Sequence, residues 1–187
     1  MQNKKGVIVL IAGLVILLLG ASALYTQLRK NLTPPEQLAV QTTDATQPLD
    51  KAVDFKVYDA NGKPVKLSDY FGKPIVLNFW ASWCGPCQSE MPDFQKAYQE
   101  LGDSVQFLMV NMTDGQRETV EKAGEFISGK GYTFPVLYDT DSHAALVYGV
   151  YSLPTTIFID AQGNLIAQAT GALDAANLQK GIDMILQ

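Results

Sequence analysis

Two cysteines, Cys84 and Cys87, are the only thiols in the 187-residue chain, and two residues separate them in "NFWASWCGPCQSE", residues 78–90. That spacing admits three chemistries: a structural crosslink, part of a metal site, or a reaction centre. A crosslink over so short a loop removes little entropy from the unfolded chain, because the gain grows with loop length. Zinc takes about four ligands, and His143 is the only other soft ligand present. Cys and His therefore cannot fill a tetrahedral shell, and neither a metal nor a cofactor is expected. A Cys-x-x-Cys pair directly after a buried strand favours the third reading, a redox centre.

The neighbouring residues supply a mechanism for it. "PIVLNFWA" (74–81) is an apolar run broken only by Asn78, the pattern of a strand buried on both faces. "QSEMPDFQKAYQEL" follows as a helix with Met91, Phe94, Tyr98 and Leu101 at 3–4 spacing, and Pro92 should bend it. Cys84 thus falls at a strand-to-helix turn. Unpaired amides and the helix dipole favour negative charge there and lower a thiol pKa. Gly85 lets the chain turn, and Pro86 lies in the first helical turn, where its missing N–H costs little. Cys87 sits one turn deeper on the same face. Cys84 is expected as the exposed attacking thiolate and Cys87 as the resolving thiol.

Several elements must position that pair. A globular domain is expected over 51–187, opening with a hairpin, "VDFKVYD" and "KPVKL", joined at Asn61-Gly62 by a tight primed turn. Ser68 is the expected cap of the short helical turn "SDYFG". "VQFLMVNM" (105–112) and "FPVLYD" (134–139) read as strands, "GQRETVEKAGEFISGKG" as a polar helix and "HAALVYGV" as a short helix. "TTIFID" and "LIAQATG" form an antiparallel hairpin, and a final amphipathic helix is capped by Asp174. Alternating β and α elements ending in a hairpin predict an α/β fold, a central mixed sheet flanked by helices.

Residues 6–24, "GVIVLIAGLVILLLGASAL", carry no charge. As a helix they would span about 28 Å, close to the bilayer core. Lys4 and Lys5 precede the run, which keeps residues 1–5 in the cytoplasm and the rest outside by the positive-inside rule. The run is longer than a usual signal-peptide core, which favours a retained transmembrane anchor; a cleaved signal peptide is the alternative, since "ASA" at 21–23 has the form that signal peptidase uses. Both place the domain where disulfides persist. Residues 25–50 are rich in Thr, Gln, Asp and Pro and read as a flexible tether with a span of about 25–30 Å. The first thirty residues hold four positive charges and no negative one, so the overall charge of −5 leaves the remainder at −9. Such a domain repels phosphate backbones and argues against nucleic-acid binding.

"WCGPC" after an apolar strand, with "LPT" at 153–155 before another, resembles the active site of the thioredoxin superfamily. With the leading hairpin and the inserted "FPVLYD", residues 52–187 and the anchor resemble the membrane-tethered TlpA/ResA-type thiol–disulfide oxidoreductases. The resemblance implies a thioredoxin-like fold and a redox-active Cys84–Cys87 disulfide. It implies a cis bond before Pro154, main-chain pairing of Leu153 with substrate, and a substrate-facing wall formed by Trp83 with Gly85 and Pro86. It places Glu90 beneath the cysteines, where a partly buried carboxylate could pass a proton to or from Cys87; a solvated helix acid is the alternative. Thioredoxin's buried Asp, six residues before the first cysteine, is Asn78 here and cannot titrate.

The resemblance further implies reduction of disulfides in exported proteins, such as apocytochrome c, on the outer face of a bacterial membrane. It also implies a recycling partner, a membrane electron donor of the CcdA/DsbD type. Two rivals are an electron donor to an extracytoplasmic methionine sulfoxide reductase or peroxidase, and a non-catalytic tethered binding module or metallochaperone. A peroxiredoxin-like peroxidase is disfavoured, since Ala81 stands where such chemistry wants Thr or Ser. Trp80 reads as core, Asn78 as a bonded buried amide, and His143 as a surface or capping residue. Asp139, Asp141 and Asp160 read as turn and cap residues, and Met109 and Met112 as packing.

Overall fold

The computed structural model describes residues 4–31, 38–40 and 50–187. The chain divides into two units, residues 1–36 and 37–187. In the first, helix α1 runs Lys4–Asn31, and its described side chains, residues 10–24, are exposed. Among the described residues no helix is long and apolar enough to cross a membrane. The expected span over 6–24 begins ahead of those described side chains.

The second unit is built on one mixed sheet. Its strands are β1 (Leu38–Val40), β2 (Lys56–Tyr58), β3 (Pro64–Lys66), β4 (Ile75–Trp80), β5 (Gln106–Asn111), β6 (Val136–Tyr138), β7 (Thr155–Ile159) and β8 (Leu165–Thr170). Helices α2 (Gly85–Leu101), α3 (Val120–Lys130), α4 (His143–Val147) and α5 (Ala175–Ile185) complete it. Among the described residues the strand order is β1-β8-β7-β4-β5-β6-β2-β3. β4 runs parallel to β5, and β5 to β6, while the remaining pairs are antiparallel.

β4 lies inside the sheet between β7 and β5, and all six of its side chains are buried. Successive residues point to opposite faces. Val76 and Trp80 join a core with Met91 and Phe94 of α2, Ala123 of α3 and Ile182 of α5. Ile75, Leu77 and Phe79 join the opposite core with Phe55, Leu67 and Ala144. Asn78 shares the parity of Val76 and Trp80, which turns its amide toward α2. Pro92 stands inside α2 without ending it.

Three local expectations are corrected. The β2–β3 connection is not a two-residue primed turn, which needs φ > 0 at both Asn61 and Gly62. Only Gly62 has it, at 74°. Its N–H donates to Asp59 O, so Ala60 and Asn61 are the central pair. Asp59 Oδ1 accepts the N–H groups of Asn61 and Lys63, and this side-chain acceptor stabilises the longer loop. Ser68 does not cap the 3₁₀ turn Leu67–Tyr70; its N–H and Oγ both donate to Asp54. Asp69 caps the turn by reaching back to the Lys66 N–H. Finally, α3 starts at Val120 rather than near 115, with Thr119 accepting the Lys122 N–H. Asp114 Oδ1, bonded to the N–H groups of Gln116 and Glu118, keeps the preceding residues in a loop.

The tether expected over 25–50 contains the end of α1 and strand β1, which pairs with β8. Residues 32–37 and 41–49 of it lie outside the described residues. His143 accepts the Lys56 N–H at Nδ1, tying α4 to β2. Asp139 caps α4 through the N–H groups of Ala144 and Ala145.

Helix α5 packs so closely on β7 that Gly181 has no room for a methyl group: a Cβ there would collide with the Phe158 ring. Ala is better than Gly in a helix by about 1 kcal/mol, but overpacking a core costs about 1–3 kcal/mol. Gly181→Ala is therefore expected to destabilise the fold by up to about 2 kcal/mol in urea unfolding. Gly129→Ala in α3, where a Cβ meets nothing within 4 Å, should stabilise it by up to about 1 kcal/mol.

Candidate active site

The cysteines sit where β4 leaves the sheet. A turn closes by the Cys84 N–H donating to Ala81 O at 3.1 Å, and α2 begins at Gly85 with Pro86 in its first turn. Cys84 is the N-cap residue of α2. Its extended backbone (φ −83°, ψ 105°) puts Sγ 3.2 Å from the Cys87 N–H, which donates to it. The two sulfurs are joined in a disulfide. Cys87 is fully buried and Cys84 is 4% exposed. The attacking sulfur is thus less open than expected, because it looks out only through a groove whose walls cover the rest of it.

That groove has a volume of about 540 Å³. Trp83, Gly85 and Pro86 line one side around Cys84, and Leu153 lies on the other with Val150, Tyr151 and Ser152. The Leu153–Pro154 peptide is cis, as the resemblance implied. Pro154 itself is buried, and its carbonyl accepts the Gly171 N–H. Tyr151 is 95% exposed at the rim, and Trp83 is 42% exposed. Met112 also lines the groove, whereas Met109 is core packing and Trp80 packs against Phe126.

Glu90 lies one helical turn beyond Cys87 and is 2% exposed, so it is not a solvated acid. Its Oε1 accepts from Asn78 Nδ2 at 2.8 Å and its Oε2 from the Leu173 N–H at 2.8 Å. Burial pushes its carboxyl from 4.5 up to about 7, and the two hydrogen bonds pull only part of the way back. Among the described residues no cation shifts its titration, so its ionised form rests on two neutral donors. Asn78 also donates to Thr156 Oγ1 at 3.0 Å.

A second buried carboxylate, Glu118, was not legible in the sequence. It is fully buried and accepts the Ser82 N–H and Oγ–H at 2.8 and 2.6 Å and Asn111 Nδ2 at 2.6 Å. Ser82 directly precedes the Trp83-Cys84 pair, so Glu118 holds the approach to the cysteines from 36 residues away. Arg117, beside it, lies with its guanidinium carbon 3.6 Å from the Trp83 ring centre. Both residues stand in "GQRE", read from the sequence as the polar start of a helix, and no periodicity marks either as part of the site. Among the described residues no three His, Cys, Asp or Glu side chains gather as a metal site.

The comparisons with known proteins agree with this geometry. Residues 48–168 match the model of the AhpC/TSA family. The chain belongs to the AhpC/TSA family. It is 34% identical over 174 residues to the thiol-disulfide oxidoreductase ResA of Geobacillus thermodenitrificans, covering 91% of this chain and 92% of that one. With ResA of Bacillus subtilis it shares 33% over 135 residues, 72% and 73% of the two chains. Among solved structures it is similar to the exposed lipoprotein thioredoxin Etrx1 of Streptococcus pneumoniae (36% identity, TM-score 0.58, 70% of this chain and 99% of that one). It is also similar to a Chlorobium tepidum protein assigned as the thiol:disulfide interchange protein DsbE (31%, TM-score 0.66, 75% and 99%). The protein is therefore a thiol–disulfide oxidoreductase of the ResA/DsbE type with a thioredoxin-like fold.

In this oxidoreductase the folded pKa of Glu90 lies above its unfolded value, so folding takes up a proton between about pH 4.5 and 7. The stability that the neutral carboxyl contributes is complete below about pH 4.5 and is lost as pH rises through 7. Between pH 5 and pH 8 the wild type should lose about 2–3 kcal/mol more than Glu90→Gln. Denaturant titrations at the two pH values measure the difference, and parallel behaviour would contradict it. Glu118→Ala leaves three donors without an acceptor, one on buried Asn111 and two on half-buried Ser82, and should cost about 3 kcal/mol in the same assay.

Proposed function

We propose that the protein reduces disulfides in exported proteins from the outer face of a bacterial membrane, held there by its N-terminal segment. The observation that carries the reading is the Cys84–Cys87 pair. It caps a helix at the floor of an open groove, with a buried titratable acid on the helix turn behind it. The charge-free run 6–24 following Lys4 and Lys5 supports the anchor. The alignment to ResA from G. thermodenitrificans covers 91% of the chain, so it extends into the first fifty residues.

The chemistry follows from the placement. In the dithiol form the Cys84 thiolate, stabilised by the amides opening α2, attacks one sulfur of a substrate disulfide. A mixed disulfide forms and the first substrate thiolate leaves. Cys87 then loses its proton and attacks Cys84 Sγ, which releases the second substrate thiolate and regenerates the Cys84–Cys87 bond. Two electrons and two protons pass to the substrate. Glu90, near neutrality and one turn from Cys87, is suited to hold the proton in transit. A dithiol donor in the membrane must restore the reduced state, in the manner of a CcdA/DsbD-type transporter. The substrate class that the resemblance favours is an oxidised cysteine pair in an apoprotein awaiting cofactor attachment, such as apocytochrome c.

The full-length protein in detergent, with dithiothreitol as donor, should accelerate insulin reduction, and Cys84→Ser should abolish the acceleration. Cys87→Ser should accumulate mixed disulfides at Cys84, and the trapped proteins name the substrates. In intact cells expressing Cys87→Ser and pretreated with reductant, a membrane-impermeant maleimide should label Cys84. Activity surviving Cys84→Ser would remove the mechanism, and labelling seen only after lysis would remove the extracytoplasmic assignment.

A further inference from the structure

The groove in front of Cys84 has two charged side chains among its lining residues, Asp114 and Arg117. Asp114 is engaged by its own loop, with Oδ1 accepting the N–H groups of Gln116 and Glu118. Arg117 is not engaged in that way. Acids outnumber bases 19 to 14 in this chain. Yet among the described residues no carboxylate lies within ion-pair distance of its guanidinium. The guanidinium lies over the Trp83 ring instead. Contact through its face leaves the edge, with its forked N–H donors, open to the groove. That edge is the part of arginine that matches a carboxylate two-to-two.

The stack is held from behind. Ser82 and Glu118, joined by two hydrogen bonds, immediately flank Trp83 and Arg117 in the chain. One buried clamp therefore fixes both backbones next to the partners of the stack. On the Arg117 side, Lys122 Nζ donates to the carbonyls of Gln116 and Arg117. Asn111 at the end of β5 ties the clamp to the sheet. A long side chain ordered before its ligand arrives loses less entropy on binding.

We propose that Arg117 is a specificity-determining residue: it reads a carboxylate on the substrate polypeptide beside the cysteine that Cys84 attacks. The inference rests on the disulfide-reductase reading above and names the substrate feature that the groove selects. Trp83 serves as the plate on which the guanidinium is held. Asp114 on the same wall offsets the net charge, so selection depends on the fork geometry of Arg117 more than on a general positive field.

Two synthetic peptides test this, each closed by one disulfide and identical except for Glu or Gln next to the attacked cysteine. Full-length protein is reduced, freed of reductant, and mixed with each under single-turnover conditions. The wild type is expected to reduce the Glu peptide about tenfold faster at low salt. Raising the salt should shrink that ratio. In Arg117→Gln the ratio should fall to about one, and Arg117→Lys, a point charge without the fork, should keep only part of it. Arg117→Glu should reverse the preference toward a third peptide with Lys at that position. Equal rates for both peptides in the wild type, or an unchanged ratio in Arg117→Gln, would overturn the proposal. So would an equal slowing of both peptides with a shifted pH profile of Cys84 alkylation, which would assign Arg117 to thiol ionisation instead. A wild type that reduces neither peptide would remove the reductase reading itself, and this inference with it.

Discussion

Two buried glutamates hold the cysteine turn from opposite ends. Glu118 bonds Ser82, two residues before Cys84, and Glu90 follows Cys87 by one helical turn. A carboxylate taken out of water costs several kcal/mol unless its lone pairs are met. Each of these is met by donors from other elements of the chain: Ser82 and Asn111 for Glu118, and Asn78 and Leu173 for Glu90. Those donors keep their places only if β4, β5 and the segment after β8 are all docked. The redox turn is therefore coupled to the whole sheet, although it spans only four residues.

The two glutamates do different work. Glu90 has two neutral donors and deep burial, and burial wins, so its proton is available near neutrality. Glu118 accepts three hydrogen bonds and acts as a clamp on backbone geometry. Cys84 needs both. Its nucleophilicity depends on the amides at the start of α2, and its access depends on the groove walls that Trp83 and Leu153 provide.

Local pattern and tertiary outcome part company at identifiable places. The run 74–81 was readable because a strand buried on both faces needs apolar residues without interruption. The single exception, Asn78, proved to be the amide that binds Glu90. The Asn61-Gly62 turn misled because Asp59, two residues earlier, offers a side-chain acceptor that a dipeptide rule ignores. Ser68 misled for the same kind of reason: Asp54, fourteen positions away, takes both of its donors. In each case a carboxylate that the short motif does not include took the hydrogen bonds and won over the motif's own preference.

The sequence by itself determined the order of strands and helices from β2 onward, the position of the thiol pair at a strand-to-helix junction, and the resemblance that pointed to cis-Pro154 and Glu90. These depend on periodicity and short-range spacing, which a linear chain displays directly. Only the tertiary structure decided that Glu90 is dry and near neutral, that Glu118 is buried, and that Arg117 lies on Trp83 beside the sulfur. Burial, and pairing between elements far apart in the chain, depend on which surfaces meet when the sheet closes, and no spacing rule along the chain encodes that meeting.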